Sequence, residues 1–169
     1  CIYTYIYAET GACRVVLDRG FKLLGAPIGD KTYCEAFTQS RASKTKPTLE
    51  ALADLHPQVG LLLLRYCASF GKLVYSARTA PPDLLSEAFG GFDADQRRAL
   101  SDLLAADLTD SQWQQVARGL SSAGLGLRRL EAHAPGAYLA SFASTHYLCA
   151  QLDEACACAP KDTNTREDR

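Results

Sequence analysis

The apolar positions along the chain change their period once. In residues 2–7, Ile2, Thr4 and Ile6 alternate with Tyr3, Tyr5 and Tyr7. Such a two-residue repeat of β-branched and aromatic side chains describes a strand. Residues 13–17 (Cys-Arg-Val-Val-Leu) form a second candidate strand, Asp18-Arg19-Gly20 a turn, and residues 21–24 a third strand. Together they predict a small antiparallel element that runs into a constrained loop, Gly25-Ala26-Pro27-Ile28-Gly29.

Beyond that loop the period becomes helical. Asp30 caps a helix over residues 30–41 with Tyr33, Cys34, Phe37 and Arg41 along one side, and residues 40–47 read as a basic loop. Leu49, Leu52 and Leu55 mark a short helix ending near Pro57. A helix over residues 58–75 follows, with Val59, Leu62, Leu63, Cys67, Phe70 and Val74 as its stripe. Leu61, Leu64 and Tyr66 make it apolar almost all round, so it is the expected centre of the core. Gly90-Gly91 is expected to stop a short helix over residues 83–89, and Asp93 with Gln96 to open another through a capping box. Thr109 with Gln112 forms a second capping box, flanked by Leu108 and Trp113 at the positions of a hydrophobic staple. Gly119 ends that helix. Gly124-Leu125-Gly126-Leu127 is a loop or tight strand, and Pro135 opens a last helix over residues 136–152. There Tyr138, Phe142 and Thr145 share one side and the small residues Ala137, Ala140 and Ser144 the other. The fold class expected is therefore mainly α: an N-terminal β element in residues 1–29, a helical bundle in 30–152 and a polar tail in 153–169.

Composition sharpens this picture without supplying a function. With 47% hydrophobic and 22% charged residues the 169-residue chain is an ordinary globular sequence. The apolar run 59–64 is far shorter than the roughly 20 residues a membrane span takes. The seven cysteines, an odd number with no secretory segment ahead of them, read as reduced, intracellular usage. The chain starts at Cys1 and enters an apolar run at once, as a piece of a longer polypeptide would. Residues 1–80 carry ten basic against six acidic side chains, whereas residues 81–110 carry two against seven, so a polyanion meets the first region more readily.

Catalytic groupings are thin. His56, His133 and His146 stand in no H-E-x-x-H arrangement and beside no nucleophile elbow. Asp93 and Asp95 sit two apart at an expected helix start, where acidic residues are favourable without a metal. The glycine loop lacks the lysine and hydroxyl of a phosphate-binding loop. His146, Cys149, Cys156 and Cys158 are chemically suited to zinc, but their spacing is that of no standard knuckle. Basic residues recur at Lys31, Arg41, Lys44 and Lys46, at Lys72 and Arg78, and at Arg128 and Arg129, as either solvated faces or contacts to a phosphate backbone.

The order of five segments carries a resemblance. Phe21-Lys-Leu-Leu-Gly-Ala-Pro-Ile-Gly29, Leu61-Leu-Leu-Leu-Arg-Tyr-Cys67, Arg78 with Pro81, Gly124-Leu-Gly-Leu-Arg128 and Ala137-Tyr-Leu-Ala-Ser141 occur in that sequence. Over residues 15–145 the chain resembles the region after the catalytic palm in reverse transcriptases of non-long-terminal-repeat retroelements. The resemblance implies a primer-grip-like element containing Phe21, Leu24, Gly25 and Gly29, followed by a helical thumb. It also implies a template–primer duplex as partner, with Lys31, Arg41, Lys44 and Lys46 on its phosphates. The chain departs from the family at Leu120-Ser-Ser-Ala-Gly124, where a glycine pair and a proline are usual. The paired aspartates of the palm would precede Cys1, so Mg²⁺ is expected only in an intact parent polymerase and this chain alone is expected to be inactive. The competing expectation is a helical protein-interaction or scaffold domain without nucleic-acid binding.

Overall fold

In a computed structural model residues 20–152 are described. The candidate strands at 2–7 and 13–17, the tail, Cys156 and Cys158 lie outside them. The described chain is a β-hairpin followed by helices. Strands β1 (Gly20–Leu23) and β2 (Ala26–Gly29) pair antiparallel, with Phe21 opposite Ile28 and Lys22 opposite Pro27. The segment 25–29, expected as a loop, is thus mostly a strand. The turn is only Leu24-Gly25, and both residues have positive φ, 49° and 90°. That is the handedness a two-residue hairpin needs to match strand twist.

Helices α1 (Lys31–Ser43), α2 (Lys46–Ala51), α3 (Pro57–Cys67), α4 (Val74–Thr79), α5 (Ser86–Leu104), α6 (Asp110–Ala117) and α7 (Leu130–Leu152) follow. Asp30 caps α1 as expected, its carboxylate accepting the Tyr33 amide at 2.7 Å. The expected basic loop at 40–47 is largely helical: α1 runs on to Ser43, and α2 restarts at Lys46 with Pro47 in its first turn, where a missing N–H costs nothing. The Thr109–Gln112 capping box is present in both directions, and Leu108 packs on the cluster that holds Trp113.

Further expectations are overturned. The helix over 58–75 breaks after Cys67 into a 3₁₀ turn at Phe70–Lys72 and the separate α4. Its first part is not the centre of the core: Gly60 and Leu64 are buried, while Val59, Leu62, Leu63 and Tyr66 face solvent. The centre is α5, which runs straight through Gly90-Gly91. Phe89, Phe92, Leu100 and Leu103 line one side of it at helical spacing. The two phenylalanines belong to a cluster with Leu73, Leu85 and Leu130, the two leucines to one with Leu49, Leu64, Trp113 and Leu127. Burying each such side chain stabilises by about 1.5–3 kcal/mol, enough to carry two glycines at about 1 kcal/mol apiece. Finally, α7 starts at Leu130 rather than after Pro135, which lies inside it.

Of the small face expected on α7, Ala137 packs on the first cluster; Ala140 and Ser144 are exposed. Leu139, Phe142, Tyr147 and Leu148 on the second half of α7 are exposed as well. No helix among the described residues is long and apolar enough to cross a membrane.

Candidate functional site

The residues expected to form a primer-grip-like element all lie in the hairpin. Phe21 and Gly29 lie in adjacent pairs at its base, and Leu24 and Gly25 form its tip. The tip is tied down through its two carbonyls. Tyr75 Oη donates to Leu24 O at 2.9 Å, and Arg41 Nη1 donates to Gly25 O at 3.1 Å. Leu24 itself projects with 90% of its surface exposed. At the other end Tyr33 lies so close over Gly20 that a Cβ there would sit 2.4 Å from its ring.

Of the four expected phosphate contacts, two have partners within the chain. Arg41 braces the hairpin, and Lys46 pairs with Asp95 at 3.4 Å. Lys31 and Lys44 are exposed at opposite ends of α1, about 20 Å apart at 1.5 Å of rise per residue.

A different group of basic side chains converges. Arg65 near the end of α3, Arg128 in the α6–α7 connection and His133 in the first turn of α7 line a cleft of about 580 Å³. Ala117, Gly119, Leu120, Ser121 and Gly126 complete its wall, and no carboxylate is among the lining residues. The connection that shapes the cleft is held by its own backbone. Leu125 N donates to Val116 O at 3.0 Å and Gly126 N to Arg118 O at 2.8 Å. Gln115 Nε2 donates to Ser122 O at 3.1 Å and Ala123 O at 2.8 Å.

Both glycines of this segment are required, for different reasons. Gly124 packs on the Arg118 backbone, whose carbonyl oxygen a Cβ would meet at 2.1 Å. Gly126 has φ +73°, and Arg65 Nε lies 3.2 Å from where its Cβ would be. Leu127, fully buried, anchors the far end.

The arginines are positioned by aromatic rings rather than by acids. The Arg65 guanidinium lies over Tyr66 at 5.0 Å, and that of Arg128 over Phe70 at 6.0 Å. His133 stacks edge-on against the same Phe70, ring centres 5.6 Å apart. Among the described residues neither Arg65 nor Arg128 has an ion-pair partner, so both charges stay available to an anion. Burial, and then the charge of Arg128, holds His133 below its usual 6.5.

Metal chemistry finds no comparable grouping. Asp93 is spent on the amides of Leu130 and Glu131, and Asp95 bridges Lys46 and Arg98. The two carboxylates therefore do not converge as an Mg²⁺ pair would. Of the zinc-suited residues, His146 and Cys149 sit on α7, and no group of three possible ligands meets among the described residues.

Sequence reasoning noted Arg128 as basic but passed over Arg65, which sits in an apolar run and reads as an interruption of it. The usable signal was Gly124 and Gly126, four and two residues ahead of Arg128. Comparison with family models, with curated proteins and with solved structures finds no match.

Proposed function

We propose that this chain is a non-catalytic, nucleic-acid-holding portion of an RNA-directed DNA polymerase of the reverse transcriptase kind, and that it grips the backbone of a template–primer duplex. The observation that carries the reading is the carboxylate-free cleft in which Arg65 and Arg128 have no acidic partner among the described residues. Phosphates are met by such unpaired cations, and each neutralised phosphate adds salt-dependent affinity. The braced hairpin and the order of the five sequence segments support the same reading. With Arg41 and Lys46 occupied internally, the proposed grip moves from the basic residues of α1 and the start of α2 to the cleft between α3 and α7.

The test is a titration of a labelled RNA–DNA duplex at two salt concentrations. Weak, sequence-independent binding that falls steeply with salt is expected. The double variant Arg65→Gln, Arg128→Gln should reduce the logarithmic salt slope by about two. No binding at low salt overturns the proposal.

One observation favours a second reading, a helical protein-interaction domain. Val59, Leu62, Leu63 and Tyr66 recur at helix spacing along the exposed side of α3, with 38–70% of their surfaces open. An apolar stripe of that spacing suits a groove on a protein partner.

A further inference from the structure

Tyr66 follows the cleft residue Arg65 on α3 with 70% of its surface exposed, and the Arg65 guanidinium covers one face of its ring. The arrangement joins two features that duplex binding alone does not call for. A duplex backbone presents phosphates, which the cations meet, but it offers no free base faces to an aromatic ring. An unpaired strand offers both. Proteins that hold single strands combine a cationic track with aromatic side chains on which bases stack, and every base has a π-face to offer.

We infer that the cleft and Tyr66 together form a seat for an unpaired nucleotide. Its backbone phosphate lies between Arg65 and Arg128, and its base stacks on the open face of Tyr66. The inference deepens the proposed function and rests on it: the strand held here is the single-stranded continuation of the duplex.

The geometry divides the labour. Arg128, which lines the cleft, has its guanidinium over Phe70, while Arg65 is shared between the phosphate position and the Tyr66 ring. A cleft of about 580 Å³ lies in the size range of small-ligand sites. The exposed Ser121 side chain, also in the lining, adds a neutral donor. Selection is by backbone charge and stacking, so no base preference is expected.

The experiment compares the full chain on three labelled probes at low salt: a blunt RNA–DNA duplex, the same duplex with a short unpaired extension, and the extension sequence as a free single strand. The extension should tighten binding on the order of tenfold. Tyr66→Ala should remove that gain, whereas Tyr66→Phe should keep it. Leu62→Ser, one turn earlier on the same exposed stripe, should also keep it.

Blunt-duplex binding with no gain from the extension overturns the inference and leaves the proposed function standing. A gain that survives Tyr66→Ala, or that Leu62→Ser removes as fully, overturns it too, since stacking on Tyr66 is then not its source. Absence of binding to all three probes overturns the proposed function and the inference together.

Discussion

Asp93, in the middle of α5, caps α7 at Leu130. Its Oδ1 accepts the Leu130 amide at 2.8 Å and its Oδ2 the Glu131 amide at 3.1 Å, across 37 residues of sequence. The first amides of a helix have no partner within it, and a carboxylate there also faces the positive end of the helix dipole. The side chain that sequence spacing assigned to a local capping box therefore does the capping work for a distant helix. Because α7 carries His133 into the cleft, Asp93 also fixes one wall of the candidate site.

Asp93→Ala is expected to cost about 1–2 kcal/mol, since two helix-start amides lose their acceptor. Thermal unfolding should show a Tm lower by roughly 5 °C. A change confined within the error of the measurement would mean that α7 is capped by other means.

The same carboxylate sets a pH dependence. Its burial outweighs the opposing effect of the Leu130 and Glu131 amides and the charge of Arg129, so it titrates above its ordinary 3.8. A carboxyl raised on folding contributes stability that is complete below the unfolded value and is lost as pH rises through the folded one. Asp93→Asn does not titrate, so its stability deficit relative to the wild type should shrink as pH rises from about 3 to about 7. Urea unfolding across that range checks the sign; a deficit that widens with pH would contradict it.

The continuity of α5 can be tested at its glycines. A Cβ at Gly90 or Gly91 meets nothing within 4 Å. Replacing either with Ala should stabilise by about 0.5–1 kcal/mol, as in an exposed helix interior. Gly124→Ala is the contrast, because its Cβ would meet the Arg118 carbonyl and force the α6–α7 connection apart. Loss of about 2 kcal/mol or more is expected there. If Gly90→Ala destabilises, α5 is broken at the glycine pair after all.

Leu24 occupies the left-handed region with φ 49° at the hairpin tip, where an unbranched-at-Cβ but bulky residue is unfavourable and Asn is accommodated. Its side chain is almost fully exposed, so nothing packed is lost on replacing it. Leu24→Asn should raise stability by roughly 0.5–1 kcal/mol, measured by chemical denaturation. A loss would show that Leu24 contributes contacts beyond the tip.

His133 predicts how anion binding responds to acid. Held below 6.5 by burial and by Arg128, it is neutral near pH 7, where the cleft's charge comes from Arg65 and Arg128. It gains a third positive charge as pH falls through its lowered value. Duplex affinity should therefore rise as pH falls from neutral through that lowered value, and His133→Gln should flatten that rise. A rise that persists unchanged in the variant assigns it to some other group.

What the sequence determined by itself was local. Asp30 and Thr109 cap their own helices, and Gly124 with Gly126 marks an irregular connection, because each depends on residues within a few positions. The mainly helical class followed from the same periodicities. Tertiary structure alone decided which helix is central. α3 has the more apolar sequence, yet α5 lies at the core, because packing rewards a continuous buried side spanning two clusters more than it penalises two glycines. It also decided that Asp93 serves α7, and that Arg65 meets Arg128 and His133. Those residues are far apart in sequence, and charge and hydrogen-bonding capacity carry no record of distant partners; only the closing of the chain brings them into one cleft.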